Sequence, residues 1–171
     1  PRALTITANP QSKTYGDTLD LNALSLTEQL TATGLVNGDT LTSAELSSVG
    51  AAATANAGVH DISVDSIVFD AEGNYTISYG TGVLTVDPRA LTITAANQSK
   101  TYGDVLDLDA LSLADQLSAS GLVNGDTITS AMLSSDGEAA TAGVNSYLIG
   151  VDSLVFDAAA NYAISYAPGV L

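Results

Sequence analysis

The stretch Pro1–Ala8, PRALTITA, returns letter for letter at Pro88–Ala95, 87 positions further along the chain. The same offset holds without a gap to the last residue, and 59 of the 84 aligned pairs are identical. A period of this kind indicates a tandem array rather than one large domain. We therefore predict two modules, residues 1–87 and residues 88–171, with the last strand of the second module truncated at Leu171.

The composition of the chain limits how each module can be stabilised. Hydrophobic residues make up 46% of the sequence but aromatic residues only 5%, with no tryptophan, so the core must consist mainly of Leu, Ile, Val and Ala. About 87 residues are enough to bury one such core. The sequence has no cysteine, which excludes disulfides, cysteine-ligated metals and thiol catalysis.

The charge of the chain excludes two classes of partner. The net charge is −15, from 19 acidic residues against only four basic ones. Nucleic-acid binding needs a basic surface that releases phosphate counterions, and the sequence has none. An anionic membrane surface would repel the chain for the same reason. No segment approaches the roughly 20 apolar residues of a membrane span, so we expect no membrane insertion.

The pattern of the repeat predicts strands. Ala3–Ala8 alternates apolar and polar residues, as a half-buried strand does. Turn-forming residues divide each repeat into about six or seven short segments of this kind. We predict an all-β chain of two tandem small β-sandwich (Ig-like) modules, stacked end to end. The alternative is a β-grasp-like module with one short helix, since the leucine spacing in Ala23–Leu30 suits either a strand or a helical turn.

Three local predictions accompany this fold. The polar stretch Gln11–Asp17, which contains Lys13, is expected to be a loop ending in a turn. Asn37-Gly38 between apolar flanks is typical of a hairpin with a type I′ turn. The break in alternation at Asp65-Ser66 predicts a β-bulge. The residues expected to carry these structural roles in the two copies are Tyr15, Gly16, Asp17, Asn37, Gly38, Tyr102, Gly103, Asp104, Asn124 and Gly125.

The linker between the modules is short. Only Asp87–Ala90 separates the last apolar strand of one copy from the first core residue of the next. Pro88 fixes its own φ and favours an extended conformation at Asp87. We therefore expect successive modules to be held at a restricted angle, each adding about 30 Å of length.

Three motifs in each copy resemble a known family. They are Lys13–Asp17 (KTYGD), Gly34–Asp39 (GLVNGD) and Asn74–Tyr79 (NYTISY), and the second copy repeats them apart from Ala163. This combination is similar to the MBG/YDG-type repeats of large bacterial surface proteins, which include filamentous-haemagglutinin-like adhesins. The resemblance covers both copies. It implies an exported, repetitive protein of the bacterial cell surface, and it brings no catalytic residues.

Two acidic groups are candidates for weak calcium binding. Asp70–Asn74 places oxygen-bearing side chains at alternate positions, as calcium loops do, but the second copy keeps only the first and last of them. The other group is Asp17 with Asp20, repeated as Asp104 with Asp107 and Asp109. A solvated turn explains these residues as well. We expect no cofactor beyond such weak calcium binding.

Ligand binding and catalysis have few candidates. Tyr79 and Tyr166 are the best for a glycan platform, provided that they stand exposed beside a groove. His60 is the only histidine, and its counterpart is Tyr147, so it belongs to no repeated site. A single histidine without cysteine makes a transition-metal site or a Ser/His/Asp triad improbable. We predict that the chain is not an enzyme.

Two functions fit these observations. The first is a structural stalk of an extracellular adhesin or biofilm protein, which projects a distal adhesive region and whose partners are the neighbouring repeats. The alternative is that the modules themselves bind a host or surface glycan or mucin, or assemble into filaments through a shared strand.

Overall fold

The computed structural model describes residues 1–171, and the chain divides into two compact units, Pro1–Pro88 and Arg89–Leu171. We call them module 1 and module 2. Module 1 has short 3-10 turns at Leu21–Ala23, Val49–Ala51 and Glu72–Asn74. Its strands and its one helix are β1 (Arg2–Ala8), β2 (Gln11–Thr14), α1 (Leu26–Gln29), β3 (Leu30–Thr33), β4 (Ser43–Ser47), β5 (Gly58–Val68), β6 (Tyr75–Gly80) and β7 (Gly82–Asp87).

Module 2 repeats most of this order. Its elements are β8 (Arg89–Ala95), α2 (Leu113–Gln116), β9 (Leu117–Ser120), β10 (Ser130–Ser134), β11 (Leu148–Val155), β12 (Tyr162–Ala167) and β13 (Gly169–Val170). Strands dominate both modules, so the predicted all-β fold in tandem modules is confirmed. Each module also contains one four-residue helix, the feature that the alternative expected.

Each module has two sheets. In module 1 the first sheet has the order β3-β1-β6, and the second has the order β2-β7-β5-β4. Strand β1 is antiparallel to β3 and parallel to β6. In module 2 the corresponding sheets are β9-β8-β12 and β10-β11-β13.

A parallel pair of chain segments connects the two sheets of module 1. Strands β1 and β6 pair in parallel in the first sheet, and their continuations β2 and β7 pair in parallel in the second. The two segments cross between the sheets at residues 9–10 and at Thr81. Gly82 lies at this crossing because a Cβ there would stand 2.5 Å from the carbonyl oxygen of Ala8. The backbones therefore approach more closely than any side chain at residue 82 would permit.

The core lies between the sheets. Alternate residues of β1, Leu4 and Ile6, are fully buried, as are Ile62 of β5 and Leu84 of β7. Strand β1 contacts both β5 and β7, which belong to the other sheet. Each fully buried side chain of this type contributes about 1.5–3 kcal/mol of transfer free energy. The alternation that predicted strand β1 therefore identifies its core face as well.

The prediction of a loop at Gln11–Asp17 is wrong over its first four residues. Gln11–Thr14 forms strand β2, which pairs in register with β7, Lys13 lying opposite Val86. The four residues are all polar and show no alternation, so their sequence carries no strand pattern. Their strand conformation comes from the hydrogen bonds that β7 offers along its edge.

The prediction of a hairpin at Asn37-Gly38 is wrong, although the turn itself is present. Asn37 and Gly38 have φ values of 59° and 81°, and the Asp39 amide donates to the Val36 carbonyl at 3.0 Å. Positive φ at both central residues is the signature of a type I′ turn. Strand β3 before the turn pairs with β1, whereas β4 after it pairs with β5. The segment therefore leads from one sheet to the other.

The predicted bulge is confirmed. In the pairing of β4 with β5, Glu45 lies opposite Ser66 and Leu46 opposite Val64, so Asp65 is the extra residue. Because of this extra residue, the core face of β5 changes from even-numbered positions, such as Ile62, to odd-numbered positions, such as Ile67.

The ambiguous stretch Ala23–Leu30 contains helix α1. Ser25 is the N-cap, and the Glu28 carboxylate accepts from the Ser25 amide at 3.0 Å and from its hydroxyl at 2.7 Å. This is a capping box, which stabilises even a single helical turn. The hydrogen bond from the Ser25 hydroxyl is the main reason why the pKa of Glu28 lies below its ordinary value.

Candidate functional sites

The tyrosine of the NYTISY motif is bound to the turn of the GLVNGD motif. The Tyr75 hydroxyl donates to the Asp39 carboxylate at 2.7 Å and accepts from the Val36 amide at 3.1 Å. The bond to Asp39 raises the pKa of Tyr75. In module 2, Tyr162 bonds to Asp126 and to the Val123 amide at 2.7 and 3.0 Å. Two of the three motifs therefore form one structural unit, which in module 1 fixes the segment between β3 and β4.

The tyrosine of the YGD motif has different surroundings in the two modules. Gly16 and Gly103 both adopt positive φ, and the amides of Asp17 and Asp104 close the same turn at 3.1 Å. Tyr15 is buried, but Tyr102 is exposed.

The lysine of the same motif joins separate parts of the main chain through hydrogen bonds. The Lys13 ammonium donates to the carbonyl oxygens of Asp17 and Ala52, both at 2.8 Å. Burial is the main cause of the lowered pKa of Lys13, and the nearby Asp17 charge acts in the opposite direction. Lys100 makes the corresponding bonds to the carbonyls of Asp104, Glu138 and Ala139. The sequence offered no indication of this role, because Lys13 was expected in a solvated loop.

The acidic residues around the YGD motif do not form a metal-binding group. Asp20 accepts from the Asn22 amide at 3.0 Å, and Asp107 accepts from the Asp109 amide at 3.1 Å. Asp109 accepts from the Leu133 amide at 2.9 Å, in the place where Asn22 accepts from Leu46. No group of three or more acidic or histidine side chains is placed to hold a metal ion. These carboxylates bind main-chain amides instead.

Asp70 lies in a different group from the one its sequence neighbours suggested. It lines a polar cleft of about 220 Å³ together with Asp39, Thr40 and Thr42, while Glu72 does not line it. A similar cleft in module 2 contains Asp126, Thr127, Thr129 and Asp157. The second copy replaces Glu72 and Gly73 by alanines, but neither position lines the cleft. The cleft therefore recurs in module 2 with both of its carboxylates.

The two candidate glycan-binding tyrosines are exposed. Tyr79 and Tyr166 lie one residue before the ends of β6 and β12 and are 51% and 52% exposed, whereas Tyr75 at the start of β6 is buried. Neither tyrosine lines the polar clefts around Asp70 and Asp157. The exposure that an aromatic platform needs is present at both positions.

His60 and its counterpart Tyr147 perform the same packing role. The His60 ring bonds to the Asn56 carbonyl at 2.9 Å, and the Tyr147 hydroxyl donates to the Gly143 carbonyl at 2.9 Å. Each ring covers a glycine, Gly50 in module 1 and Gly137 in module 2, where a Cβ would stand within 2.8 Å of the ring. The exchange of His for Tyr therefore preserves a structural contact.

No helix of the structure has the length and apolar character needed to cross a bilayer. Pro88 is the single residue between β7, which ends at Asp87, and β8, which begins at Arg89.

Comparison with known proteins gives one family. The model of the MBG domain (YGX type) matches the chain twice, over residues 4–85 and 91–171. Searches of curated proteins and of solved structures found no similar protein. MBG repeats are typical of large adhesin-like surface proteins. Tyr15-Gly16-Asp17 and Tyr102-Gly103-Asp104 supply the Tyr-Gly pair for which the type is named. The two matches cover nearly the whole sequence, so the chain belongs to the MBG domain family, with one YGX-type domain in each module.

Proposed function

We propose that the two modules are structural spacer repeats of an exported bacterial cell-surface adhesin or biofilm protein, in which they form part of a stalk that projects a distal adhesive region. The role is structural and not catalytic. Its immediate partners are the neighbouring repeats of the same chain, and its location is extracellular.

The observation that carries the proposal is the tandem placement of two MBG domains with a one-residue connection. Each domain has its own buried core, and only Pro88 separates the last strand of one from the first strand of the next. In module 1 the chain enters at the start of β1 and leaves at the end of β7, the opposite ends of the parallel segment pair. A domain with this path adds length when it is repeated.

Small-angle X-ray scattering on arrays of one, two and four copies of the chain tests the proposal. The copies are joined through Thr-Val-Asp, the sequence that precedes Pro88, so that every junction is the same. The maximum dimension should rise linearly by about 60 Å per copy, since each module is roughly 30 Å long. A matched array with eight Gly/Ser residues at each junction should extend less. A dimension that grows only with the cube root of mass would contradict the proposal.

The exposed tyrosines support a second candidate function, binding of glycan or mucin. Tyr79 and Tyr166 occupy equivalent positions, and repeated aromatic platforms of this kind suit multivalent recognition of sugars. A glycan array with the wild-type chain and with the Tyr79→Ala, Tyr166→Ala variant tests it. Binding that the double variant loses would favour this function over a passive spacer. Absence of binding by the wild-type chain would remove it.

Filament assembly is the other part of this alternative. Analytical ultracentrifugation of the chain from micromolar to millimolar concentration would reveal it as a rising sedimentation coefficient. The net charge of −15 opposes such self-association, so we expect a monomer throughout.

A further inference from the structure

An apolar cleft lies beside helix α1 in module 1. Its volume is about 300 Å³. Three of its leucines, Leu26, Leu35 and Leu41, are only half-buried, so they form a partly exposed wall rather than part of the fully buried core. The complete lining consists of Leu26, Thr27, Leu30, Ala32, Leu35, Thr40 and Leu41.

Module 2 has the same cleft at the same place. Its volume is about 390 Å³, and its half-buried wall consists of Leu113, Leu122 and Ile128. Two lining positions differ between the modules, Leu41 against Ile128 and Thr27 against Ala114, and neither change introduces a charge. A partly exposed apolar surface that recurs in both modules is a candidate surface for binding another molecule.

The strand beside each cleft has an edge that no strand covers. Strands β3 and β9 lie at the ends of their sheets and pair on one side only, with β1 and β8. Ala32 of β3 lies opposite Ile6, so it points to the inner side of the sheet, where the cleft opens. An added strand would lie about 4.8 Å from β3, and every second side chain of it would point toward the cleft.

The surroundings of the cleft select the charge of its occupant. Glu28 and Asp115, both exposed, follow the lining residues Thr27 and Ala114 directly in helices α1 and α2. The chain has only four basic residues, and none of them lines either cleft. Since each chain carries a net charge of −15, a second chain is a poor occupant and a basic segment is a good one.

We propose that the cleft in each module is a docking site for an extended, basic segment of another protein. The main chain of that segment pairs with β3 or β9, and its alternate apolar side chains enter between the leucines. This is binding by strand addition, in which the edge gives affinity and the cleft gives the side-chain pattern. The inference goes beyond the spacer role, because it gives each repeat a partner along the length of the array.

A labelled eight-residue peptide that alternates Lys and Val tests the proposal by fluorescence anisotropy with the complete chain at 150 mM salt. We expect two sites per chain. Leu41→Ser should remove one site and Ile128→Ser the other, and the double variant should bind at least about tenfold more weakly. Val59→Ser, at an exposed position of β5, should keep both sites. A peptide with four Lys followed by four Val has the same charge and should bind at least about tenfold more weakly.

Several results would overturn the proposal. Equal binding of the two peptides, or unchanged binding by the double variant, would mean that charge alone attracts the peptide. No binding up to millimolar peptide would exclude strand addition. Self-association that Leu41→Ser abolishes would make a second copy the occupant. Circular dichroism checks that each variant is folded. If the Leu41→Ser, Ile128→Ser double variant unfolds, Leu26→Ser with Leu113→Ser repeats the test on the helical side of each cleft.

Discussion

The same tyrosine of the same motif is 4% exposed in module 1, as Tyr15, and 64% exposed in module 2, as Tyr102. The turn around it is closed in both modules. The difference lies in the neighbouring strand: β7 continues to Asp87, whose carbonyl accepts from the Tyr15 amide at 2.9 Å, whereas the sequence stops at Leu171, before the counterparts of Thr85, Val86 and Asp87. The tyrosine of the motif is therefore buried by the end of the last strand and not by its own turn.

The same difference explains why β2 has no counterpart in module 2. Strand β2 pairs with residues 84–87 of β7, and Val86 within this stretch is buried. In module 2 the equivalent place is a cavity of about 220 Å³ lined by Lys100, Tyr102, Tyr147 and Leu171, among others. The rest of the module keeps its sheets and its core. A polar strand such as Gln11–Thr14 thus forms only where a partner strand is present.

The largest expected effect is produced by adding Thr-Val-Asp after Leu171, which gives module 2 the last three strand residues of module 1. Burial of the new valine should stabilise module 2 by about 1.5–3 kcal/mol, and burial of Tyr102 should add to this. Urea unfolding measures the stability, and acrylamide quenching of tyrosine fluorescence measures the burial. A Thr-Asp-Asp extension is the matched control and should stabilise little. Equal effects of both extensions would mean that the cavity does not select an apolar side chain.

A smaller effect, equal in the two modules, is expected where their structures agree. Tyr75→Phe and Tyr162→Phe each remove a hydroxyl that bonds to an aspartate and to a valine amide. Each change should lower the free energy of unfolding by about 1–2 kcal/mol, because the aspartate carboxylate loses the hydrogen bond that the tyrosine hydroxyl donates to it. Urea unfolding of the two variants checks this, with Tyr79→Phe as an exposed control. A cost confined to one module would contradict the structural equivalence of the two turns.

The two modules differ in charge at one partly buried position, and this charge affects the stability of module 2. Glu138 takes the place of Ala51, and burial, followed by repulsion from Asp109, Asp107 and Asp152, raises the pKa of Glu138. Its ionised form therefore destabilises the fold at neutral pH. Glu138→Ala should stabilise module 2 at pH 7 by less than about 1 kcal/mol.

The pH dependence of the stabilisation by Glu138→Ala tests whether its cause is electrostatic. The folded pKa lies above the unfolded one, so the penalty of ionisation is full above the folded pKa and disappears as the pH falls below the unfolded value of 4.5. Thermal melting of both chains at pH 3.5 and pH 7 measures the difference. The reverse change, Ala51→Glu, should destabilise module 1 only at the higher pH. A gain from Glu138→Ala that is as large at pH 3.5 would exclude the electrostatic cause.

The smallest expected effect concerns calcium and the polar clefts that contain Asp39 with Asp70 and Asp126 with Asp157. Each cleft offers two carboxylates, one of which already accepts from a tyrosine hydroxyl. We expect the melting midpoint to be the same in micromolar calcium and in chelator, with a rise of about 1–2 °C at most in millimolar calcium. Asp70→Asn and Asp157→Asn should remove any rise. A shift at micromolar calcium would reveal a true site.

The residues that predicted the fold well were those whose own pattern reflects burial. The alternation at Leu4 and Ile6 identified a core strand, and the broken alternation at Asp65 located a bulge. Prediction failed where partners distant in sequence decide the structure. Gln11–Thr14 becomes a strand only through β7, and Asn37-Gly38 forms the expected turn but joins two sheets, because hairpin statistics carry no information about which strands pair.

The candidate sites were less predictable for the same reason. Asp70 lies with Asp39, which is 31 positions away in the sequence, and not with Glu72. The Lys13 ammonium binds the Ala52 carbonyl, a main-chain group that no sequence motif can identify. The apolar cleft of module 1 combines leucines from α1, from β3 and from the segment between β3 and β4. In the sequence alone, each of these leucines resembles an ordinary core residue.

The parallel segment pair of module 1 determines how the module responds to mechanical load. Tension between its two chain ends pulls β1 and β7 in opposite directions, along strands that are hydrogen-bonded to β6 and β2. The load is therefore applied in shear, and the evenly spaced bonds of both parallel ladders resist it together instead of opening one after another. A module built in this way yields only when a whole ladder slips, so the order of its strands makes it a mechanical clamp.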